Sequence, residues 1–341
     1  MTAATSTLAT HRRPGRTRPA TLALWLLLLA GALGAIGLGV GSAGLDNVSA
    51  LLADPATAII VWDIRAPRTL GAFCAGALLG LAGAVAQGLF RNPLADPFLL
   101  GSASGASLGV ALCLAVLGGT SWLTPWLMRL GLTGAAFLGA LAAVLLTLLL
   151  ARGVQHTLRL LLAGVVVGVV LGAFTSLITL SVPEVLQAMQ AFLLGSTGFI
   201  GWPACVLMAA VALPCLLLAC GLSRVLDGLA LGEATATSLG LPLAPLRAAL
   251  LAVLALATGT AVAQTGLIAF VGLAAPHLVR GAVKTTHRWL LLLSSLMGGV
   301  LLMLADTLAR GLMAPHELPV GVVTAILGGG YLLWLMHRRA A

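Results

Sequence analysis

Two pairs of charged residues lie at the ends of long apolar segments. Arg65-Ala-Pro-Arg68 precedes one segment, and Asp306-Thr-Leu-Ala-Arg310 closes another. Guanidinium groups bind carboxylates strongly, so exposed arginines here would suit pairing with carboxylates of a partner protein. Asp306 and Arg310 are four residues apart, so a local ion pair on one helix is the alternative. The sequence therefore predicts ion pairing, either within the chain or across an interface.

Two polar segments interrupt the apolar sequence elsewhere. The stretch from Asp227 to Pro245 is amphipathic and helix-forming but too polar to span a membrane, and Gly240 and Pro242 indicate where its short helix ends. It predicts either a loop on the lipid headgroups or a docking surface for a cytoplasmic partner. The segment from Arg91 to Pro97 contains two prolines, which indicates a rigid non-helical turn.

The sequence lacks the motifs needed for ATP hydrolysis, zinc binding or a disulfide framework. The sequence has no G-x-x-x-x-G-K-[ST] element, and its single lysine is Lys284, so we predict no phosphate-binding loop and no ATP hydrolysis by this chain alone. The five cysteines show no C-x-x-C spacing and predict neither a zinc site nor a disulfide framework. We expect no catalytic residue, no metal ligand and no cofactor bound by this chain.

The composition indicates that the elements carrying these charged and polar residues lie in a lipid bilayer. Of the 341 residues 60% are hydrophobic and only 8% are charged, with a mean hydropathy of +1.12. An average soluble domain is about one quarter charged, so a soluble enzyme, a disordered chain and a disulfide scaffold are excluded. At about 20 residues per membrane-spanning helix, the apolar residues suffice for about ten spans. We therefore predict an all-α polytopic membrane protein.

Breaks at proline, glycine and charge clusters divide the chain into ten predicted spans. The first is too long for the apolar part of a secretory signal. The segment at 266–276 is too short to cross the bilayer, so we interpret it as a half-helix supported by its neighbours. The predicted spans are 20–40, 66–90, 98–118, 127–150, 160–181, 199–220, 247–265, 266–276, 289–311 and 318–336.

The basic residues are distributed unequally between the two sides of this topology. Lys and Arg accumulate in cytoplasmic loops, and ten spans put both basic termini inside. We predict a cytoplasmic tail at 1–19 and a single transmembrane domain at 20–341, and the net charge of +9 then needs no nucleic-acid partner. Only Arg65, Arg68, Arg129 and Arg310 fall outside; the other 14 of the 18 basic residues fall inside, namely Arg12, Arg13, Arg16, Arg18, Arg91, Arg152, Arg159, Arg224, Arg247, Arg280, Lys284, Arg288, Arg338 and Arg339.

Small residues at four-residue spacing predict close helix packing. They are Gly76 and Gly80; Gly101, Gly105 and Gly109; and Gly164, Gly168 and Gly172. The similar segments 84–89 and 261–267 lie on helices of opposite direction, so either an inverted repeat or a chance similarity would explain them.

Seven motifs follow one another along the chain. They are Arg65-x-Pro-Arg68, Gly83-x-x-x-Gln87, Asn92-Pro-Leu-Ala-Asp-Pro97 with Leu100-Gly101, Leu231-Gly-Glu233 with Ser238-Leu-Gly240, Phe270-Val-Gly-Leu273 with Pro276-His277 and Arg280, Asp306, and Glu317-Leu-Pro-Val-Gly321. In this order they resemble the permease subunits of iron-siderophore, haem and cobalamin ABC importers (FecCD-type), and the resemblance runs from about residue 62 to the C-terminus. One departure is Gly328-Gly-Gly-Tyr-Leu332, where members commonly carry Gly-x-Pro-x-Phe; the extra glycine predicts a more flexible helix start.

The resemblance implies a ten-helix subunit of type II ABC importer architecture that pairs with a second copy or a close paralogue. It also implies two cytoplasmic ATPases, which bind the ATP and Mg²⁺, and one extracytoplasmic substrate-binding protein. Arg65, Arg68 and Arg310 would receive acidic residues of that binding protein, and Asn92, Pro93, Asp96 and Pro97 would form a cytoplasmic turn. The helix from 231 to 241 would be the ATPase-coupling element, with Leu231, Gly232, Glu233, Ala236, Ser238, Leu239 and Gly240.

The function expected from this resemblance is passage of an iron-siderophore, or a similar metal chelate such as haem or cobalamin, across the cytoplasmic membrane. The alternative is a stand-alone secondary transporter or channel, which would need ion-coupling groups within the spans. The sequence offers hardly any. It leaves open which chelate is carried, whether the pair is homodimeric and which residues line the path.

Overall fold

The computed structural model describes residues 18–41, 44–45, 55–117, 125–151 and 157–340. Arg12, Arg13, Arg16 and Arg152, which entered the charge count, lie outside the described residues, as does almost all of the predicted tail at 1–19. The division into a tail and one transmembrane domain stays a prediction.

Thirteen helices of six or more residues account for most of the described chain. A short helix (Pro55–Ile59) and a π-helical segment (Ile60–Arg65) lead into α2, and a 3₁₀ turn (Pro97–Leu100) leads into α3. The two-residue strands β1 (Val40–Gly41) and β2 (Gly44–Leu45) pair antiparallel. The helices are α1 (Pro19–Gly39), α2 (Ala66–Leu89), α3 (Ser102–Leu117), α4 (Pro125–Leu150), α5 (Thr157–Ser181), α6 (Pro183–Leu194), α7 (Trp202–Gly221), α8 (Ser223–Ala230), α9 (Glu233–Ser238), α10 (Leu243–Thr265), α11 (Val271–Ala282), α12 (His287–Gly311) and α13 (Val320–Ala340).

The helices confirm the predicted membrane architecture. Among the described residues seven helices are long and apolar enough to cross a membrane, and α3 and the apolar part of α13 are shorter candidates. With the short α11 these make ten, in the predicted order. The sequence missed α6, a twelve-residue helix separated from α5 by Val182 alone.

The predicted half-helix at 266–276 begins later and extends further than expected. Gly266 has φ +68°, a left-handed conformation that glycine adopts without strain, and it ends α10. Residues 267–270 are not helical, and α11 then runs from Val271 to Ala282. The error arose because apolar composition continues through this break.

Helices α2 and α12 form the buried centre of the fold and run antiparallel. A Cβ on Gly76 or Gly80 would overlap backbone carbonyls of α12, and one on Gly298 would overlap the carbonyl of Gly76. The two backbones are therefore in contact, as the four-residue spacing predicted. Gly105 and Gly109 are equally close to α4, but Gly172 has nothing within 4 Å of its Cβ position, so the prediction was wrong there for the described part of the chain.

Phe270 explains why glycine occupies position 328. Phe270 has φ +68°, which is unusual for a residue with a side chain, and it directly precedes α11. Its side chain lies where a Cβ on Gly328 would be. Gly328 is in the interior of α13, which begins at Val320, so the expectation of a flexible helix start at this glycine was wrong.

Candidate functional site

Charged side chains meet where the start of α2 lies beside the end of α12. Asp306 accepts hydrogen bonds from Arg68 Nε at 3.1 Å and from Arg310 Nη2 at 2.6 Å, and its Oδ1 also accepts one from the Thr197 hydroxyl. Arg68 Nη1 lies 2.8 Å from Glu317 Oε2. We call Arg65, Arg68, Asp306, Arg310 and Glu317 the outer charge cluster.

The cluster also holds the C-terminal end of α1. Arg310 Nη1 donates to the carbonyls of Gly37 and Val40, at 3.0 and 3.3 Å. Arg65 Nη1 donates to those of Leu38 and Gly39, at 3.0 and 3.2 Å. Carbonyls at a helix end lack partners within the helix and carry partial negative charge, so the two guanidinium groups complete and stabilise this end.

The expectation that these arginines are exposed was wrong. Arg65 and Arg68 retain 8% of their accessible surface and Arg310 retains 1%, while Asp306 retains none. Buried charges must be paired, and carboxylates and carbonyls of this same chain provide the pairing. Asp306 and Arg310 do form the helical i, i+4 pair that was the alternative interpretation.

The polar stretch after α7 folds into two short helices rather than one. Gly232 has φ +110°, so Leu231 and Gly232 form a turn between α8 and α9, and α9 begins at Glu233. The predicted end is correct, since α9 stops at Ser238 and Gly240 has φ +79°. Because the family resemblance implies ATPase coupling by residues 231–241, we call residues 223–241 the coupling segment as an expectation of that role.

The coupling segment exposes part of the predicted residue set and buries the rest. Leu231 and Leu239 are 69% and 64% exposed, and Ser238 and Gly240 are exposed as well. Ala236 is fully buried, and Glu233 pairs with Arg247 of α10 at 2.5 Å. Two large apolar side chains exposed outside the spans are a feature of protein-binding surfaces.

The cytoplasmic turn has the predicted rigid form. The Asn92 side chain accepts from the Leu94 amide at 2.9 Å, and the Asp96 side chain accepts from the Phe98 amide at 2.8 Å. Burial raises the pKa of the Asp96 carboxyl, and the hydrogen bond from Phe98 opposes that rise. Asn92 and Pro93 are exposed, while Pro97 is buried against Gly272 of α11.

Gln87 connects α2 with the half-helix α11. Its Nε2 donates to the Leu273 carbonyl at 3.1 Å, and its Oε1 accepts from Arg280 Nη1. The buried side-chain amide of Gln87 therefore has a hydrogen-bond partner at both its nitrogen and its oxygen. Gln264, its counterpart in the similar segment 261–267, is only half-buried, and the inverted repeat stays a prediction.

A comparison with models of protein families identifies the family of this chain. The model of the FecCD transport family matches residues 23–338. The chain belongs to the FecCD transport family.

Relatives of this FecCD chain are matched over nearly its whole length. The hemin transport system permease protein HmuU of Yersinia pestis is 38% identical over 329 residues, which is 95% of this chain and 98% of that protein. The vitamin B12 import system permease protein BtuC of Salmonella typhi is 43% identical over 283 residues, or 83% of this chain and 85% of that protein.

Two solved structures share the FecCD chain's architecture. One, described as an inward-facing conformation of a metal-chelate type ABC transporter, superposes with a TM-score of 0.81 and 29% identity, covering 94% of this chain and 99% of that one. PsaBC from Streptococcus pneumoniae in complex with Fab has a TM-score of 0.55 and 18% identity over 77% of this chain and 88% of that one, which shows the fold alone.

Among the contacts that sequence reasoning missed is one between α8 and the start of α12 of this FecCD chain. Asp227 of α8 lies 2.7 Å from His287 Nδ1 and accepts from the His287 amide at 3.1 Å. The two residues are 60 positions apart. Only the placement of Asp227 within the polar stretch could have drawn attention to it.

Proposed function

We propose that this chain is the membrane-spanning permease of an ABC importer that carries a metal chelate such as haem or cobalamin across the cytoplasmic membrane. The observation that carries the proposal is the similarity, over 95% and 83% of this chain, to permeases named for hemin and for vitamin B12. The ten-helix arrangement and the family membership support it.

The importer needs a separate source of energy, because the sequence has no phosphate-binding loop. In this proposal ATP and Mg²⁺ are bound by a cytoplasmic ATPase and not by this chain. The ATPase docks on the coupling segment, where Leu231 and Leu239 offer apolar side chains. Movement of that segment then opens the translocation path to alternate sides by rigid-body helix motion.

A second copy or a close paralogue completes the path. Helix α5 exposes Leu162, Val169 and Leu180 on one face, with 64%, 68% and 81% of their surfaces accessible. Such a face contacts either lipid or another apolar helix. No covalent chemistry is required of this chain.

Docking of the extracytoplasmic binding protein involves the outer charge cluster in a restricted way. Arg310 is too deeply buried to meet a partner. Arg68 adjoins the surface through Glu317, whose side chain is 35% exposed. A carboxylate of the binding protein therefore replaces Glu317 as the partner of Arg68. Complementary charges then set the register of the docked binding protein.

The test is purification of the tagged chain from native membranes in mild detergent, followed by identification of co-purifying proteins and uptake assays in liposomes. We expect an ABC ATPase to co-purify, and ATP-dependent uptake of haem or cobalamin once the binding protein is added. Uptake of a ferric siderophore, without uptake of haem or cobalamin, would correct the proposed substrate and still support an ABC importer. A chain that purifies alone and transports without ATP would overturn the proposal.

That last outcome corresponds to a stand-alone secondary transporter or channel. Such a protein needs ionisable groups that exchange ions within its spans. Among the described residues Asp306 is the one acidic residue within the predicted spans, and two arginines already pair with it. The importer therefore remains the better-supported function.

A further inference from the structure

The contact between Asp227 and His287 has a geometry suited to transmitting movement. His287 is the first residue of α12, and the residue before it, Thr286, makes no side-chain cap. Asp227 instead accepts the His287 backbone N–H at 3.1 Å, and the same oxygen meets the imidazole at 2.7 Å. The carboxylate thus caps α12 from another segment and adds negative charge at its positive end.

Helix α8, which carries Asp227, is packed as one unit with the exposed face of the coupling segment. A Cβ on Gly228 would lie 3.0 Å from Leu241 and 3.7 Å from Ala236. The Leu241 amide also donates to the Ala236 carbonyl at 3.3 Å. A displacement of Leu239 by a bound partner is therefore carried to α8.

A third helix meets α8 and α12 at this point. A Cβ on Gly88, near the end of α2, would lie 3.2 Å from Leu226 and 3.3 Å from the His287 ring. Since α2 and α12 are in backbone contact at Gly76 and Gly298, they resist sliding past one another. The junction therefore connects the coupling segment to the central pair of helices.

Helix α12 extends from this junction to the outer charge cluster. Its 25 residues span about 38 Å, close to the thickness of a bilayer with its headgroups. Its first residue contacts Asp227, and Asp306 and Arg310 are in its last two turns. One buried helix thus joins the two ends at which partner proteins would act.

We infer that Asp227 is a positioning residue that couples the ATPase-docking segment to α12 through His287. This inference rests on the proposed function and adds a residue pair to it. The Glu233–Arg247 pair does not serve the same purpose, because it ties the segment only to α10, the next helix along the chain. Asp227–His287 is the contact through which a movement of α8 reaches α12.

The test is a double-mutant cycle in the full complex reconstituted in liposomes, with the ratio of molecules transported to ATP hydrolysed as the readout. We expect Asp227→Ala and His287→Ala each to lower this ratio about fivefold or more, and the double variant to be no worse than the poorer single variant. Glu184→Ala, which removes an exposed acid from the first turn of α6, is the matched control and should leave the ratio unchanged.

Each other outcome has a defined meaning. An unchanged ratio in both single variants, or additive losses in the double variant, would overturn the inference. A lower melting temperature with an unchanged ratio would show that Asp227 acts only as a helix cap. That result would also overturn the inference. If Asp227→Ala does not assemble, His287→Ala decides alone, since it keeps the backbone N–H that Asp227 binds. Absence of ATP-driven uptake by the unmodified complex would instead count against the proposed function.

Discussion

Asp306 and Arg310 lie one turn apart on α12 and form a 2.6 Å ion pair in which neither side chain has more than 2% of its surface accessible. The same carboxylate binds Arg68 of α2 at 3.1 Å. One acidic residue therefore pairs with two buried guanidinium groups from two helices, and Glu317 supplies the second negative charge.

Replacing Asp306 by Asn should destabilise the protein strongly. The change keeps the shape but leaves Arg310 and part of Arg68 buried without a counter-charge, at a cost of about 3–5 kcal/mol. Unfolding in detergent measures this. Asp63→Asn changes an exposed acid and should alter stability by less than about 0.5 kcal/mol; similar losses in the two variants would contradict the prediction.

Replacing Glu317 by Gln should strengthen binding-protein docking. The variant removes the internal competitor for Arg68. Because Glu317 is partly exposed to solvent, its pair with Arg68 is worth about 1 kcal/mol, or about fivefold in affinity. Titration of the binding protein at low salt, where screening is weakest, measures it. Glu184→Gln serves as the control. Weaker docking by Glu317→Gln would show that Glu317 itself contacts the partner.

Replacing Leu239 by Asp should weaken the interaction with the ATPase. A charge at the centre of an apolar contact loses about 1.4 kcal/mol or more, which is about tenfold in affinity. The fraction of ATPase that co-purifies with the permease provides the measurement. Leu312→Asp introduces the same charge at a similarly exposed leucine just after α12, at the opposite side of the membrane domain, and should retain the ATPase. Equal retention by both variants would exclude Leu239 from the interface.

Two glycines of α13 should respond oppositely to alanine. At Gly328 a methyl group overlaps Phe270, so overpacking should cost about 1–3 kcal/mol. At Gly330 nothing lies within 4 Å, so alanine should be neutral or stabilise the helix by up to about 1 kcal/mol. Thermal unfolding of the two variants in detergent compares them directly. The packing interpretation fails if Gly328→Ala melts no lower than Gly330→Ala.

The sequence predicted the spans well because hydropathy, proline and charge act locally. It failed where apolar composition continues through a break, as between α10 and α11, and where Phe270 adopts a left-handed conformation that its residue type does not indicate. It identified Arg65, Arg68 and Arg310 as unusual because they are basic residues on the outer side, but it did not predict that they are buried. That burial depends on Glu317 and on the carbonyls of α1, which are distant along the chain.

Asp227 and His287 are likewise distant along the chain, 60 positions apart. A sequence pattern shows that a carboxylate lies in a polar stretch, but it does not show which helix end that carboxylate caps. Tertiary packing of α8 against α2 and α12 determines the pairing.

The hydrogen bond from Arg310 to the Val40 carbonyl also constrains the order of biosynthesis. The two residues are 270 positions apart, so the end of α1 emerges from the ribosome long before its guanidinium partner. At about 5–20 residues per second, translation of the intervening chain takes about 14–54 seconds. During that interval the first helix must reside in the bilayer without this anchor, and its final seating is a late event of membrane insertion.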